Sequence, residues 1–235
     1  MIVNITDRNF GGRIRNGDIL GVLNLIQHLR NVNNNQEIKA HLPDNAILDG
    51  DVGIKFRNWL ISNTDFMTSE QGDINLEYEN LNVWDYRALA GDILVLPNPQ
   101  PMEKKICIFP LFDGPYNNYR NWPVELLQDL IDKFADSKYH KYEKVICIKD
   151  PISIDLKGFV FSTGYIDNIN HIATCEYFIG GETGTSLLAS VLNNDKRKLY
   201  YYYSTFARLH TVPFHVMQGK GTINMFFEKQ WVNPF

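Results

Sequence analysis

The chain has 235 residues, 44% of them hydrophobic, and a formal net charge of −4. That is enough for one large α/β domain or two small ones around buried cores, and it marks a globular chain. An acidic balance without a polybasic segment leaves a nucleic-acid groove or a membrane-binding basic face without a source, so any anionic ligand is small.

Met1-Ile2-Val3-Asn4 opens as a strand. It lacks the basic and apolar regions of a signal peptide, and no apolar run reaches the roughly 20 residues that span a bilayer, which predicts a cytoplasmic protein without an integral membrane segment. After a loop over 9–17, Asp18 reads as the N-cap of a helix whose apolar stripe is Ile19, Val22, Leu23, Ile26 and Leu29. The Asn-rich run at 31–35 ends that helix, and 37–42 reads as the next strand. A short helix at 54–61 and strands at 74–78 and 92–96 follow. Pro97, Pro99 and Pro101 then stiffen the chain and exclude both helix and central strand. They predict a boundary between an N-terminal domain over 1–100 and a C-terminal domain over 101–235.

Beyond the prolines the rhythm restarts with a strand at 105–110 and a polar loop to Asn121. Pro123 opens a helix with Leu126, Leu127, Leu130, Ile131 and Phe134 on one face. Strands at 144–148 and 159–161, a helix at 166–173 and a strand at 177–180 come next. The last of these feeds Gly180-Gly181-Glu182-Thr183-Gly184-Thr185-Ser186, where a further helix begins, and Tyr200-Tyr201-Tyr202-Tyr203 reads as a strand with alternating faces. The alternation predicts an α/β fold of mostly parallel sheets, as two Rossmann-like α/β/α domains facing a cleft, with ligands beyond the carboxyl ends of the strands.

Cys107, Cys147 and Cys175 are scattered in apolar segments, as expected of buried thiols rather than a disulfide framework. The six histidines show no ligand spacing, so no metal is predicted, and His171 reads as a packing or surface residue. Four loops fall at the carboxyl ends of strands: 11–18, 112–122, 162–165 and 180–186. In the last, two glycines would let the backbone turn and approach a ligand, while Thr183, Gly184 and Thr185 would offer N–H groups and hydroxyls at the positive end of a helix. The same residues also suit a turn capped for stability alone. Arg120, just before the helix fixed by Pro123, would add a guanidinium suited to a diphosphate.

Arg120-Asn121-Trp122-Pro123 with its helix, Phe178-Ile179-Gly180-Gly181-Glu182-Thr183-Gly184 with its helix, and Gly17-Asp18-Ile19-Leu20 together resemble the lipopolysaccharide heptosyltransferase family of GT-B glycosyltransferases. The resemblance implies a compact, divergent, metal-independent enzyme that moves a sugar from a nucleotide-diphosphate donor to an acceptor hydroxyl. It implies Asp18 as general base on the acceptor side and Arg120 in place of the basic residue that holds the donor phosphates. Thr183 and Gly184 match the Thr-Gly whose backbone meets the diphosphate; Gly181 and Thr185 flank them in the same donor-binding turn, and Glu182 would touch the ribose or only cap the helix. Glu182 stands where the family has Asp, Ser186 or Leu187 where it usually has His, and the N-terminal domain is shorter than a typical acceptor domain. The nucleotide sugar would be a substrate, and no cofactor is implied. Two alternatives are a metal-dependent GT-A transferase using Asp49 and Asp51 of Asp49-Gly50-Asp51, and a nucleotide- or glycan-binding protein that keeps the scaffold without turnover.

Overall fold

The computed structural model describes residues 1–6, 14–34, 36–77, 94–112, 121–181, 183–192, 196–203 and 221–233. Two compact units divide the chain, Met1–Pro99 with Val191–Asn193, and Gln100–Ser190 with Asn194–Phe235. In each, strands alternate with helices and parallel pairs dominate the sheet. No helix among the described residues is long and apolar enough to cross a membrane.

The first unit holds β1 (Ile2–Thr6), β2 (Lys39–His41), β3 (Met67–Thr68) and β4 (Ile74–Glu77) in the order β3-β2-β1-β4, every pair parallel. Helix α1 (Asn16–Val32) connects β1 to β2, and α2 (Gly50–Asn63) lies between β2 and β3. Helix α1 begins two residues before the expected cap. Arg15 is the N-cap, and Asp18 is the third helical residue, whose carboxylate accepts the Arg15 N–H at 3.1 Å. An acidic residue at that position reaches back to the cap more readily than it serves as the cap. The apolar stripe buries Ile19, Leu23 and Ile26 completely, and Phe56 and Leu60 of α2 and Ile5 of β1 are buried as well. At the other end of α1, Arg30 lies 4.2 Å over the Phe66 ring and donates to the Ile38 carbonyl (2.8 Å) and the Asp65 carboxylate (3.0 Å), tying the helix to the segments that enter β2 and β3.

Of the strand expected at 92–96, Asp92 and Ile93 lie outside the described residues, as does Tyr78 of the strand expected at 74–78. Leu94 and Leu96 do not extend the four-stranded sheet. The Leu94 N–H donates to the side chain of buried Asn24 (3.1 Å), and Leu96 makes an isolated parallel bridge to Leu192.

The second unit holds β5 (Glu103–Phe109), β6 (Glu143–Cys147), β7 (Val160–Ser162), β8 (Cys175–Gly180), β9 (Lys198–Tyr203), β10 (Thr222–Phe227) and β11 (Gln230–Val232). Their order is β11-β10-β9-β8-β5-β6-β7, parallel except for the β10–β11 hairpin. Counted from β5, the parallel strands run 3-2-1-4-5-6, the doubly wound order of Rossmann-like sheets. Helix α3 (Val124–Phe134) packs Leu126, Leu127, Leu130, Ile131 and Phe134 onto Ile106, Ile108, Ile146 and Ile179. A separate cluster gathers Cys107, Val145, Cys147, Phe178 and Tyr201 with Ile172 of α4 (Tyr165–Thr174) and Ala189 of α5 (Gly184–Val191). Because side chains alternate along a strand, the two clusters occupy opposite faces of the sheet. The tyrosine run shows the same alternation, with Tyr202 in the first cluster and Tyr201 and Tyr203 in the second. All three cysteines are free and buried.

Two buried cations organise this unit. Arg197, 8% exposed, donates to the carbonyls of Ala173 (2.7 Å), Ala189 (3.0 Å) and Cys175 (3.1 Å), joining the ends of α4 and α5 to the start of β8. Lys105, at the amino end of β5, bonds Thr174 Oγ1 (2.9 Å) and pairs with Glu103 (2.7 Å) and Glu143 (3.2 Å). Burial, and secondarily the Lys105 charge, holds the His171 imidazole below its ordinary pKa. A histidine kept neutral by the fold binds its proton more readily when unfolded, so its contribution is present above about pH 6.5 and is lost as pH falls through the lowered native value. Thermal unfolding followed from pH 7 to pH 5 should therefore show a decline in stability that is shallower in His171→Gln.

Candidate functional site

Strands β5 and β8 are neighbours, paired from Ile106–Tyr177 to Phe109–Gly180, so both end at the same edge of the sheet. The strand order reverses between them: β6 and β7 continue on the β5 side, β9 and β10 on the β8 side. This is the topological switch point, where open α/β sheets leave a crevice beyond the strand ends. The loops that follow these two strands are the 112–122 loop and the glycine-rich turn.

The first loop is closed at its base. The Trp122 N–H donates to the Leu111 carbonyl at 2.8 Å, and the indole N–H donates to the Tyr202 carbonyl at 3.1 Å. Trp122 is 3% exposed and sits edge-on to the Tyr202 ring with centroids 5.8 Å apart. Burial pushes the Tyr202 hydroxyl up to about 12, so it remains protonated at neutral pH. Arg120 and Glu182 lie outside the described residues.

Sequence reasoning assigns the glycines to a sharp turn; the geometry gives them another task. Neither Gly180 nor Gly181 has a positive φ. A Cβ on Gly181 would stand 3.0 Å from the Trp122 indole nitrogen, and one on Gly180 would stand 2.7 Å from both the Phe178 ring and Ser186 Oγ. The glycines let two neighbouring elements close on the end of β8.

Helix α5 starts directly after Thr183. Thr183 Oγ1 accepts the Ser186 N–H at 3.2 Å, and the Thr183 carbonyl accepts the Leu187 N–H at 3.2 Å, so Thr183 caps the helix. Its hydroxyl also meets Thr185 Oγ1 at 2.7 Å and Ser186 Oγ at 3.2 Å. The N–H groups of Gly184 and Thr185, at the positive end of the helix dipole, have no partner among the described residues. Gly181, Thr183, Gly184 and Thr185 thus share one turn, with two hydroxyls and, among the described residues, two unpaired N–H groups beside the switch point. Trp122, Tyr202 and Ser186 complete it and were missed as site residues. The signals were weak: a Trp-Pro pair before a helix, a tyrosine in a run, and a serine noted only for standing in place of a histidine.

Asp18 belongs to the first unit, half-buried in the first turn of α1, with its carboxylate on the Arg15 N–H. Asp49 accepts the Asn16 N–H at 3.3 Å and so serves the start of α1, while Asp51 is exposed in the first turn of α2. Among the described residues no three His, Cys, Asp or Glu side chains are grouped as metal ligands would be. The turn at β8 can receive an anion through helix N–H groups and hydroxyls. In comparisons with known proteins the chain matches no family model, no curated protein and no solved structure.

Proposed function

We propose that the chain is a glycosyltransferase of the GT-B kind, a compact and divergent relative of the lipopolysaccharide heptosyltransferases. In this reading the second unit takes a nucleotide-diphosphate sugar and the first takes the acceptor. The observation that carries the reading is the pairing of Phe109 with Gly180 at the switch point of a 3-2-1-4-5-6 sheet. Two loops chosen from sequence for anion-binding chemistry follow the two strands that flank this crevice.

Sugar transfer builds negative charge on the departing diphosphate, and fixed donors aimed at that charge lower the barrier. The Gly184 and Thr185 N–H groups and the Thr183 and Thr185 hydroxyls are the donors, and Arg120, two residues before Trp122 in the chain, supplies the balancing cation. Asp18 is the candidate base for the acceptor hydroxyl. A second reading, nucleotide or glycan binding without transfer, is favoured by one contact: the Asp18 carboxylate already accepts the Arg15 N–H at 3.1 Å.

Incubation with a panel of nucleotide sugars, with and without glycan acceptors, separates the two. Transfer predicts nucleoside diphosphate release that depends on acceptor, at a rate lowered about 100-fold or more in Asp18→Asn with donor affinity retained. Binding of nucleotides with no release from any donor supports the non-catalytic reading.

A further inference from the structure

Helices α4 and α5 start at the same edge of the second sheet. Each joins the carboxyl end of one parallel strand to the amino end of the next, α4 from β7 to β8 and α5 from β8 to β9. Both therefore begin at the carboxyl edge, where the switch point lies. They also share a face: Ile172 of α4 and Ala189 of α5 enter one cluster, and Arg197 bonds the carbonyls of Ala173 and Ala189 near their carboxyl ends. Helices packed side by side stand about 8–10 Å apart, a span that a nucleotide sugar covers between its diphosphate and a neighbouring ring.

The two helix starts differ in charge. The first turn of α5 has no acidic residue, whereas that of α4 carries Asp167. The Asp167 carboxylate is exposed and lies so close over Gly164, the N-cap, that a Cβ there would collide with it. It offsets the positive end of the α4 dipole, so a phosphate gains at α5 and not at α4. Asn168, the next residue, is 6% exposed, and its Oδ1 is buried without a hydrogen-bond partner. Helical side chains lean toward the amino end, which directs this amide over the first turn of α4. A buried acceptor left open is costly and requires an O–H or N–H donor. Phosphate oxygens are acceptors, whereas a sugar hydroxyl supplies the donor. We propose that the start of α4, fed by the 162–165 loop, is a subsite for a vicinal diol joined to the bound diphosphate, with Asp167 and Asn168 accepting from its hydroxyls. The diol belongs to the nucleotide ribose or to the transferred sugar, and the subsite rests on the diphosphate reading of the α5 turn.

The test is calorimetric titration of the full chain, Asp167→Asn and Asn168→Leu with UDP, GDP, ADP and CDP, their 2′-deoxy counterparts, their glucose conjugates and inorganic pyrophosphate. If the ribose is the diol, Asp167→Asn should weaken the bound ribonucleotide about tenfold, while the 2′-deoxy form, already weaker, is unchanged and pyrophosphate is not weakened. If the transferred sugar is the diol, the same tenfold loss is confined to the glucose conjugate. Asn168→Leu should weaken the same ligand yet raise the denaturant midpoint of the free protein, because it removes an unsatisfied buried acceptor. A lowered midpoint with unchanged affinity would make Asn168 a packing residue and remove it from the subsite. Circular dichroism verifies that each variant is folded. Unchanged affinity for every ligand in Asp167→Asn, or an equal loss for pyrophosphate, overturns the diol subsite while the diphosphate reading stands. No binding by any of the ligands overturns both.

Discussion

Arg197→Met should destabilise the second unit by on the order of 4 kcal/mol, read as a fall in denaturant midpoint. Methionine fills much of the same volume but cannot donate. The carbonyls of Ala173, Cys175 and Ala189 would each lose a charge-assisted bond of 2.7 to 3.1 Å inside the protein. A buried carbonyl left without a partner costs about 1–3 kcal/mol, and three of them share this one guanidinium. Burial also disfavours the charge itself, which lowers the Arg197 pKa, so part of the loss is recovered when the cation is removed. The three carbonyls outweigh that recovery. Because α5 carries the turn at its other end, the variant should also bind nucleotide more weakly. A loss below about 1 kcal/mol would mean that the carbonyls find other donors.

Trp122→Ala should cost about 3–5 kcal/mol, the range for emptying a buried tryptophan site. The side chain is packed with Leu126, Ile179 and Tyr202, and its ring lies against Gly181. Trp122→Phe separates packing from hydrogen bonding. It retains much of the volume but leaves the Tyr202 carbonyl without its donor, which should cost about 1–2 kcal/mol. If the base of the 112–122 loop positions Arg120 for a ligand at the turn, Trp122→Phe should lower nucleotide affinity by more than its effect on stability accounts for. Unchanged affinity in a destabilised Trp122→Phe would confine Trp122 to packing.

Much of this fold was legible because periodicity survives burial. The stripe Leu126, Leu127, Leu130, Ile131 and Phe134 predicted α3, and those residues are all buried against the sheet. The end of β8 and the start of α5 were legible from the glycines, but the reason for the glycines was not. It depends on Trp122 and Ser186 approaching from elsewhere, and a linear sequence does not show which side chains converge. Asp18 shows a similar limit, since one carboxylate can cap a helix from the cap position or from the third residue, and only the backbone angles of Arg15 distinguish them. Strands β10 and β11 gave no hairpin signal. Their turn places Glu228 and Lys229 at φ of 47° and 64°, where asparagine and glycine are the usual residues. The tyrosine run was legible as a strand but not as one covered on both faces, because alternation looks the same whether the second face meets solvent or a helix.

At the centre of the account is the turn after β8 as a site for the diphosphate of a nucleotide, completed by Arg120. Calorimetric titration of the chain with UDP, GDP, ADP and CDP, repeated on Arg120→Ala, tests it most directly. The account predicts that at least one nucleoside diphosphate binds and that Arg120→Ala weakens it by about 1.5–3 kcal/mol, roughly 10- to 150-fold. Absence of binding by all four, or binding that Arg120→Ala leaves unchanged, would contradict it.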